Sequence, residues 1–141
     1  MNVDGVSNGI VIDHISAGRS MEIYHFLHLE DVDSCVAIIK NVQSTKYGKK
    51  DIIKIDEIID LDLDVLGYLD PNITVNIVKD GKLHKKMHLA LPETLTNVIR
   101  CKNPRCITST EQEIDHVFRL ADRKTGLYRC VYCETKAKGG E

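Results

Sequence analysis

The chain of 141 residues contains no tryptophan, and no run of it approaches the ~18 apolar residues that a membrane-spanning helix needs. No apolar signal segment precedes Asp13. Neither sign of charge dominates. With 19 Lys and Arg against 21 Asp and Glu the formal net charge is −2, so no global field draws nucleic acid. Two phosphate-binding signatures are also missing: there is no Gly-x-x-x-x-Gly-Lys loop and no Gly-x-Gly-x-x-Gly turn. A phosphate on this chain must be held by side chains, without a helix-start cradle. The apolar fraction, 43%, is ordinary for a folded protein, and the length suits one ordinary domain or two small ones.

What is present is concentrated near the end. Four of the five cysteines form two close pairs, Cys101 with Cys106 and Cys130 with Cys133, in the pattern Cys-x4-Cys, 23 intervening residues, Cys-x2-Cys. Thiolates at such spacing can converge on one tetrahedral ion. Four cysteine ligands close the site, which leaves no position for a reactive water. Disulfides would need an oxidising compartment, and an iron site of rubredoxin type wants x2 spacing in both pairs, so one structural Zn2+ is the expected cofactor. Reduced cysteines and the missing signal segment imply the cytoplasm. Cys35, far away in Cys35-Val36-Ala37-Ile38-Ile39, reads as a small buried hydrophobe.

Hydropathy patterning organises the rest. Met1 to Ser7 look loose. Gly9 to Ile15 reads as a strand, Ala17 to about Leu29 as an amphipathic helix carrying Ile23, Phe26 and Leu27. Ser34 to Val42 is apolar on both alternating faces and is expected in a central or covered position. Gln43 to Lys50 reads as a polar loop, and Asp51 to Ile55 as a third strand. Leu63 to Leu69 is a short helix stopped by Pro71. Ile73 to Lys79 is a fourth strand, with Ile73, Val75 and Ile77 on one face and Thr74, Asn76 and Val78 on the other. Asp80-Gly81 marks a hairpin, and Lys82 to Leu89 returns as a fifth strand. This order predicts an α+β fold: a ferredoxin-like N-terminal domain, an antiparallel sheet with two helices and one extra strand, followed by a small β zinc-binding domain. The expected division is 1–92, a connecting segment 93–100, and 101–141. The last part holds strands at His116 to Leu120 and Gly126 to Arg129 and a frayed tail from Lys136. About 40 residues bury little core, so the metal must supply folding energy.

Charge falls in blocks. Asp56, Glu57, Asp60, Asp62 and Asp64 are acidic, while Lys46, Lys49, Lys50 and Lys54, and Lys79, Lys82, Lys85 and Lys86 with His84 and His88, are basic. Solvated faces are the simpler reading of each. Three polar placements resist that reading: Asp13-His14 ends an apolar strand, Lys54 sits inside Ile52-Ile53-Lys54-Ile55, and Asn76 lies between Val75 and Ile77. An acid, an imidazole, a carboxamide and several ammonium groups together suit a nucleotide, since a carboxylate can accept from ribose hydroxyls and lysines neutralise phosphates as point charges. The alternative readings are a zinc-ribbon nucleic-acid module, using Arg100, Lys102, Arg105, Arg119, Arg123, Lys124 and Arg129 with Tyr128 and Tyr132, and a small nucleotide-using enzyme. The first is opposed by the overall acidity, the second by the lack of a nucleophile–base pair or an open metal site.

Val11-Ile12-Asp13-His14-Ile15, Gly48-Lys49-Lys50-Asp51-Ile52-Ile53-Lys54-Ile55, Thr74-Val75-Asn76, Leu91-Pro92-Glu93, Asn97-Val98 and the four cysteines occur in this order. Together they resemble the regulatory chain of aspartate carbamoyltransferase over nearly the whole chain. The resemblance implies a non-catalytic subunit of pyrimidine biosynthesis. Its N-terminal allosteric domain would bind CTP with ATP in competition, UTP being a further candidate. The chain would pair with itself through that domain, and its zinc domain would dock on the catalytic chain to bridge two catalytic trimers. By position the resemblance implies Asp13 at the ribose, His14 and Lys86 at the phosphates, Lys54 near ribose and base, and Asn76 and Val78 lining the pocket. Val3, Gly5, Val6 and Val11 would give backbone or apolar contacts, and Cys101, Cys106, Cys130 and Cys133 would bind zinc. Gly81, Arg105 and Thr135 depart from the residues common at their positions in the family. The implied role of Lys86 also constrains the hairpin. A two-residue turn puts Lys86 opposite Val75, on the wrong face. A three-residue loop from Lys79 to Gly81, with Gly81 left-handed in a bulge, puts it opposite Thr74 on the face of Asn76, and this bulged form is the expectation.

Overall fold

A computed structural model describes residues 6–45 and 48–138. Val3, Gly5 and Lys46 lie outside them. The first strand, β1 (Gly9–Ser16), is apolar in both phases of its alternation because both of its faces are covered. Ile10, Ile12 and Ile15 enter the main core, while Val11 joins Ile52 and Val78 in a smaller cluster on the opposite face. A Cβ on Gly9 would lie 2.1 Å from the Ile55 carbonyl oxygen, so only glycine allows the chains to approach this closely.

Helix α1 (Ser20–Phe26) is shorter than the expected 17–29. Gly18 at φ 94° and His28 at φ 55° bracket it in the left-handed region, and Leu29–Asp31 continues as a 3-10 turn. Strands β2 (Val36–Ser44) and β3 (Gly48–Ile55) pair antiparallel as far as Ser44 opposite Gly48, so most of the expected polar loop 43–50 is strand. Helix α2 (Leu63–Leu69) starts where the Asp62 carboxylate accepts from the Val65 N–H at 3.1 Å, a capping bond, and ends before Pro71. Strands β4 (Thr74–Lys79) and β5 (Lys82–His88) complete a five-stranded sheet in the order β2-β3-β1-β4-β5. Every pairing in it is antiparallel, which is the ferredoxin-like order with β5 added beside β4.

Four further expectations are corrected. β2 is an edge strand, so of the expected central or covered position only the cover holds: Val36 and Ile38 pack on the main core, and Ile39 and Val42 on the opposite cluster. Both faces are therefore apolar although, among the described residues, no strand lies on its outer side. Cys35 is exposed, not buried, because it precedes that edge. The β4–β5 turn is the two-residue form, with Asp80 at φ 52° and Gly81 at φ 74° and Lys79 paired with Lys82, so the three-residue loop fails. The extra residue is His84, between Leu83 opposite Val78 and Lys85 opposite Ile77, and it sets Lys86 directly across from Asn76. Lastly, the tail is not frayed from Lys136, since Lys136–Lys138 pairs as a strand.

A second sheet, β6-β7-β8-β9, is built from β6 (Thr94–Thr96), β7 (Val117–Asp122), β8 (Leu127–Cys130) and β9 (Lys136–Lys138), with a one-turn helix α3 (Ile107–Thr110) before β7. The 93–100 segment is thus more than a connector, because β6 pairs with β7. The core here is small: Leu95, Phe118 and Tyr128 with the cysteines, and Tyr68 reaching in from α2. Helix α2 serves both units, with Leu66 in the main core and Tyr68 in the second. The Tyr68 and Tyr128 rings meet edge to face at 5.4 Å and 84°, and the Tyr128 hydroxyl donates to the Pro92 carbonyl at 2.6 Å.

Candidate functional site

The metal ligands come from two chain reversals. Cys106 precedes α3, and its N–H bonds the Asn103 carbonyl at 3.1 Å; Cys130 ends β8, and its carbonyl accepts from the Glu134 N–H at 2.9 Å. Glu134, at φ 67°, turns the chain so that Cys133 faces back toward Cys101. The sulfurs of Cys101, Cys106, Cys130 and Cys133 all lie within 4.8 Å of one another. Cys101 Sγ is 3.5 Å from Cys133 Sγ, and Cys106 Sγ is 3.7 Å from Cys130 Sγ. A tetrahedron with Zn–S bonds of about 2.3 Å has S···S edges of roughly 3.8 Å, so the donor set fits a structural zinc and leaves no open position.

The thiols are not equivalent. Burial pushes the Cys101 thiol up to about 12 and raises that of Cys130. The Thr135 hydroxyl holds Cys133 down at about 6, and Thr108 likewise lowers Cys106. Hydroxyls thus favour the thiolate at Cys106 and Cys133, while burial disfavours it at Cys101 and Cys130, where a cation would be the needed counter-charge and its uptake would release protons. The zinc would supply no chemistry beyond holding these two reversals together.

The second constellation lies on the sheet face away from the helices. Lys54 pairs with Val11, Val11 with Asn76, and Asn76 with Lys86, so four expected positions form one row across β3, β1, β4 and β5. Val78 pairs with Gly9 on that face. Val11 and Val78 make an apolar floor, Lys54 is buried to 8% exposure, and Lys86 is exposed at the edge. Asp13, opposite Thr74, accepts from Lys50 Nζ at 3.0 Å and from the His14 N–H at 2.6 Å. β1 carries a bulge between Ile12 and Ile15, with His14 at φ 59°. The extra residue lets both isoleucines bury in the core while Asp13 and His14 stay half-buried between them. His14 Nδ1 lies 3.2 Å from Thr74 Oγ1. Two hollows adjoin His14, one of about 270 Å³ that includes Lys49 and Asn72 and one of about 220 Å³ that includes Thr74 and His88.

Val11, Asp13, His14, Lys54, Asn76, Val78 and Lys86 thus fall on or beside one face, and Val6 packs against the cluster of Val11, Ile52 and Val78 there; Val3 and Gly5, expected to add backbone or apolar contacts, lie outside the described residues. Lys50, Thr74 and His88 lie beside the same face, although the sequence does not single them out for it. The alternation Lys50-Ile52-Lys54 would have found Lys50, had 43–50 not read as loop. Asp51, on the other phase, is fully buried, and its carboxylate accepts from the N–H groups of Asn41 and Gly18 at 3.1 Å and Ser20 at 3.3 Å. It ties β2, the turn before α1 and α1 itself to β3.

Family models match both parts of the chain: the aspartate carbamoyltransferase regulatory chain, allosteric domain, over residues 1–90, and the metal binding domain of the same chain over residues 93–141. The chain belongs to the aspartate carbamoyltransferase regulatory chain family. It is 48% identical over 141 residues to the regulatory chain of Clostridium botulinum, covering all of this chain and 97% of that one. It is 49% identical to that of Clostridium acetobutylicum at the same coverage, and 43% identical over 138 residues to that of Bifidobacterium longum, covering 98% and 99%. As a member of a regulatory-chain family built of an allosteric and a metal-binding domain, the chain is regulatory and not catalytic. The zinc-ribbon nucleic-acid reading gives way to that membership.

Proposed function

We propose that the open sheet face is a nucleotide site for CTP, with ATP competing for it and UTP as a further ligand, and that its occupancy is transmitted to a catalytic chain held by the zinc domain. The row Lys54–Val11–Asn76–Lys86 is the observation that carries the reading. Asp13 accepts from ribose hydroxyls, and Lys54 lies by ribose and base. Asn76 offers a carboxamide to the base edge above the floor of Val11 and Val78. His14, Lys86 and Lys50 face the phosphates. With no helix-start cradle, side-chain cations carry the anion, so affinity falls with salt.

The working division is 1–92 for the nucleotide domain, 101–141 for the zinc domain, and 93–100 between them. Two routes support coupling: the 93–100 segment, which supplies β6, and the Tyr68–Tyr128 contact. Near the cysteines, Ile107, Val131 and Tyr132 are exposed at 46%, 40% and 52%, beside Asn103 and Glu134, an apolar patch with a polar rim suited to docking a catalytic chain. The outer edge of β2, which no other described strand covers, is suited to pairing two regulatory chains, which together would bridge two catalytic trimers in the cytoplasm, for pyrimidine biosynthesis. Regulation then requires CTP and ATP to differ in affinity for two quaternary states, a coupling of typically ~1–3 kcal/mol. Competition calorimetry tests the site: ATP should raise the apparent Kd of CTP without changing its stoichiometry of one per chain. Independent binding of both nucleotides would overturn the single site.

A further inference from the structure

A zinc ion held by four thiolates carries a net charge of −2, and here it sits among side chains nearly sealed from water, with Cys101, Cys106 and Cys130 exposed by 8%, 2% and 0%. Buried negative charge is costly unless donors face it. Two of the four sulfurs have a hydroxyl partner. Thr108 Oγ1 lies 3.1 Å from Cys106 Sγ, and Thr135 Oγ1 lies 3.1 Å from Cys133 Sγ. Each threonine stands two residues after its cysteine, and each of those cysteines is the second of its pair. Thr108 is 4% exposed. A threonine in a helix commonly turns its hydroxyl to a preceding carbonyl, and Thr110 in the same short helix does so, donating to the Ile107 carbonyl at 3.2 Å. Thr108 turns to sulfur instead. As placed here the Cys133 thiol donates to Thr135 Oγ1, while either atom can donate between Cys106 and Thr108; a thiolate bound to metal has no proton to give, so with the metal in place the hydroxyl must be the donor in both pairs.

We propose that Thr108 and Thr135 are positioning residues of the metal centre, whose hydroxyls donate to the bound thiolates of Cys106 and Cys133 and set how tightly the metal is held. The inference rests on the four-cysteine zinc reading. Removing a hydrogen bond to a ligand leaves a more electron-rich, less stabilised thiolate, and partners of this kind typically contribute about 10–100-fold in metal affinity.

The test uses the full chain with Thr108→Val and Thr135→Val, which keep the side-chain shape, and Thr108→Ser and Thr135→Ser, which keep the hydroxyl. Zinc affinity is measured by competition with a chelator, and the sulfur-to-cobalt charge-transfer band is recorded after Co2+ substitution. Each valine variant should bind zinc about tenfold more weakly and move the cobalt band to lower energy, while each serine variant restores both. Valine variants that keep wild-type affinity within about twofold, or that lose affinity with the band unmoved, would overturn the proposal, the latter outcome marking a role in packing alone. If Thr108→Val fails to fold, Thr135→Val on the half-buried turn decides the matter. A wild-type chain that takes up no zinc would instead refute the metal reading itself.

Discussion

Replacing Lys86 with alanine probes the β4–β5 register, because the neighbouring Lys85 is an internal control. Both are exposed lysines on one strand, but Lys86 pairs with Asn76 on the face proposed for the nucleotide and Lys85 with Ile77 on the other. A unit charge about 4 Å from a phosphate oxygen is worth ~1 kcal/mol in bulk water and ~4 kcal/mol at the effective dielectric of a protein surface. Lys86 stands at an exposed edge, which favours the lower half of that range, so Lys86→Ala should weaken CTP by about 1–2.5 kcal/mol, roughly 5- to 70-fold. Lys85→Ala removes the same charge from the opposite face and should change affinity by less than about threefold, because water and salt screen it. Calorimetry at two ionic strengths is the assay. The Lys86→Ala variant should also show a shallower salt dependence than wild type. Equal losses in the two variants would mean that only the general positive charge of β5 matters, and the one-row geometry would be refuted as a binding site.

Two further outcomes follow from buried polar groups. Asp51 is wholly buried; burial pushes its pKa up, but hydrogen bonds from Asn41, Ser20 and Gly18 outweigh this and leave it below the ordinary value of 3.8. A depressed carboxylate stabilises the fold above the unfolded pKa of about 3.9 and loses that contribution as pH falls through the lower folded value. Asp51→Asn should therefore cost about 1–3 kcal/mol in denaturant melts at pH 7, with the gap to wild type narrowing below about pH 4; a constant gap would refute the assignment. Tyr128→Phe removes the hydroxyl that bonds Pro92 but keeps the ring against Tyr68. It should cost about 0.5–1.5 kcal/mol in stability and reduce the effect of CTP on the assembled enzyme while CTP affinity of the isolated chain holds, whereas an unaltered CTP effect would remove this bond from the coupling route.

The metal centre was legible because a closed thiolate site needs only ligand type and spacing, and both are written in Cys101, Cys106, Cys130 and Cys133. Helix α2 was legible to the residue because Pro71 forbids its continuation and its apolar run is short. What escaped were single extra residues. The bulges at Asp13-His14, at Lys40-Asn41 and at His84 each shift a register by one. A polar residue at a bulge looks the same in sequence as a polar residue on a solvated face. The hairpin shows the consequence: Lys86 does lie across from Asn76, as expected, but through an extra residue at His84 and not through a three-residue turn. Helix α1 was overdrawn because apolar residues keep helical spacing through Leu29, while the backbone leaves the right-handed region at Gly18 and His28. Cys35 and β2 were placed inside because apolar residues on both faces suggest a central strand, and the small cluster of Val11, Ile52 and Val78 gives an edge strand a second face to bury.

Sedimentation of the chain mixed with its catalytic chain, before and after a mercurial strips the zinc, tests the central claim most directly when CTP binding is followed in the same samples. The zinc-loaded chain should sediment with the catalytic chain as one large assembly. Metal loss should release free catalytic trimers while the regulatory chain still binds CTP. An assembly that survives loss of the metal, or CTP binding that disappears together with the zinc, would contradict the account.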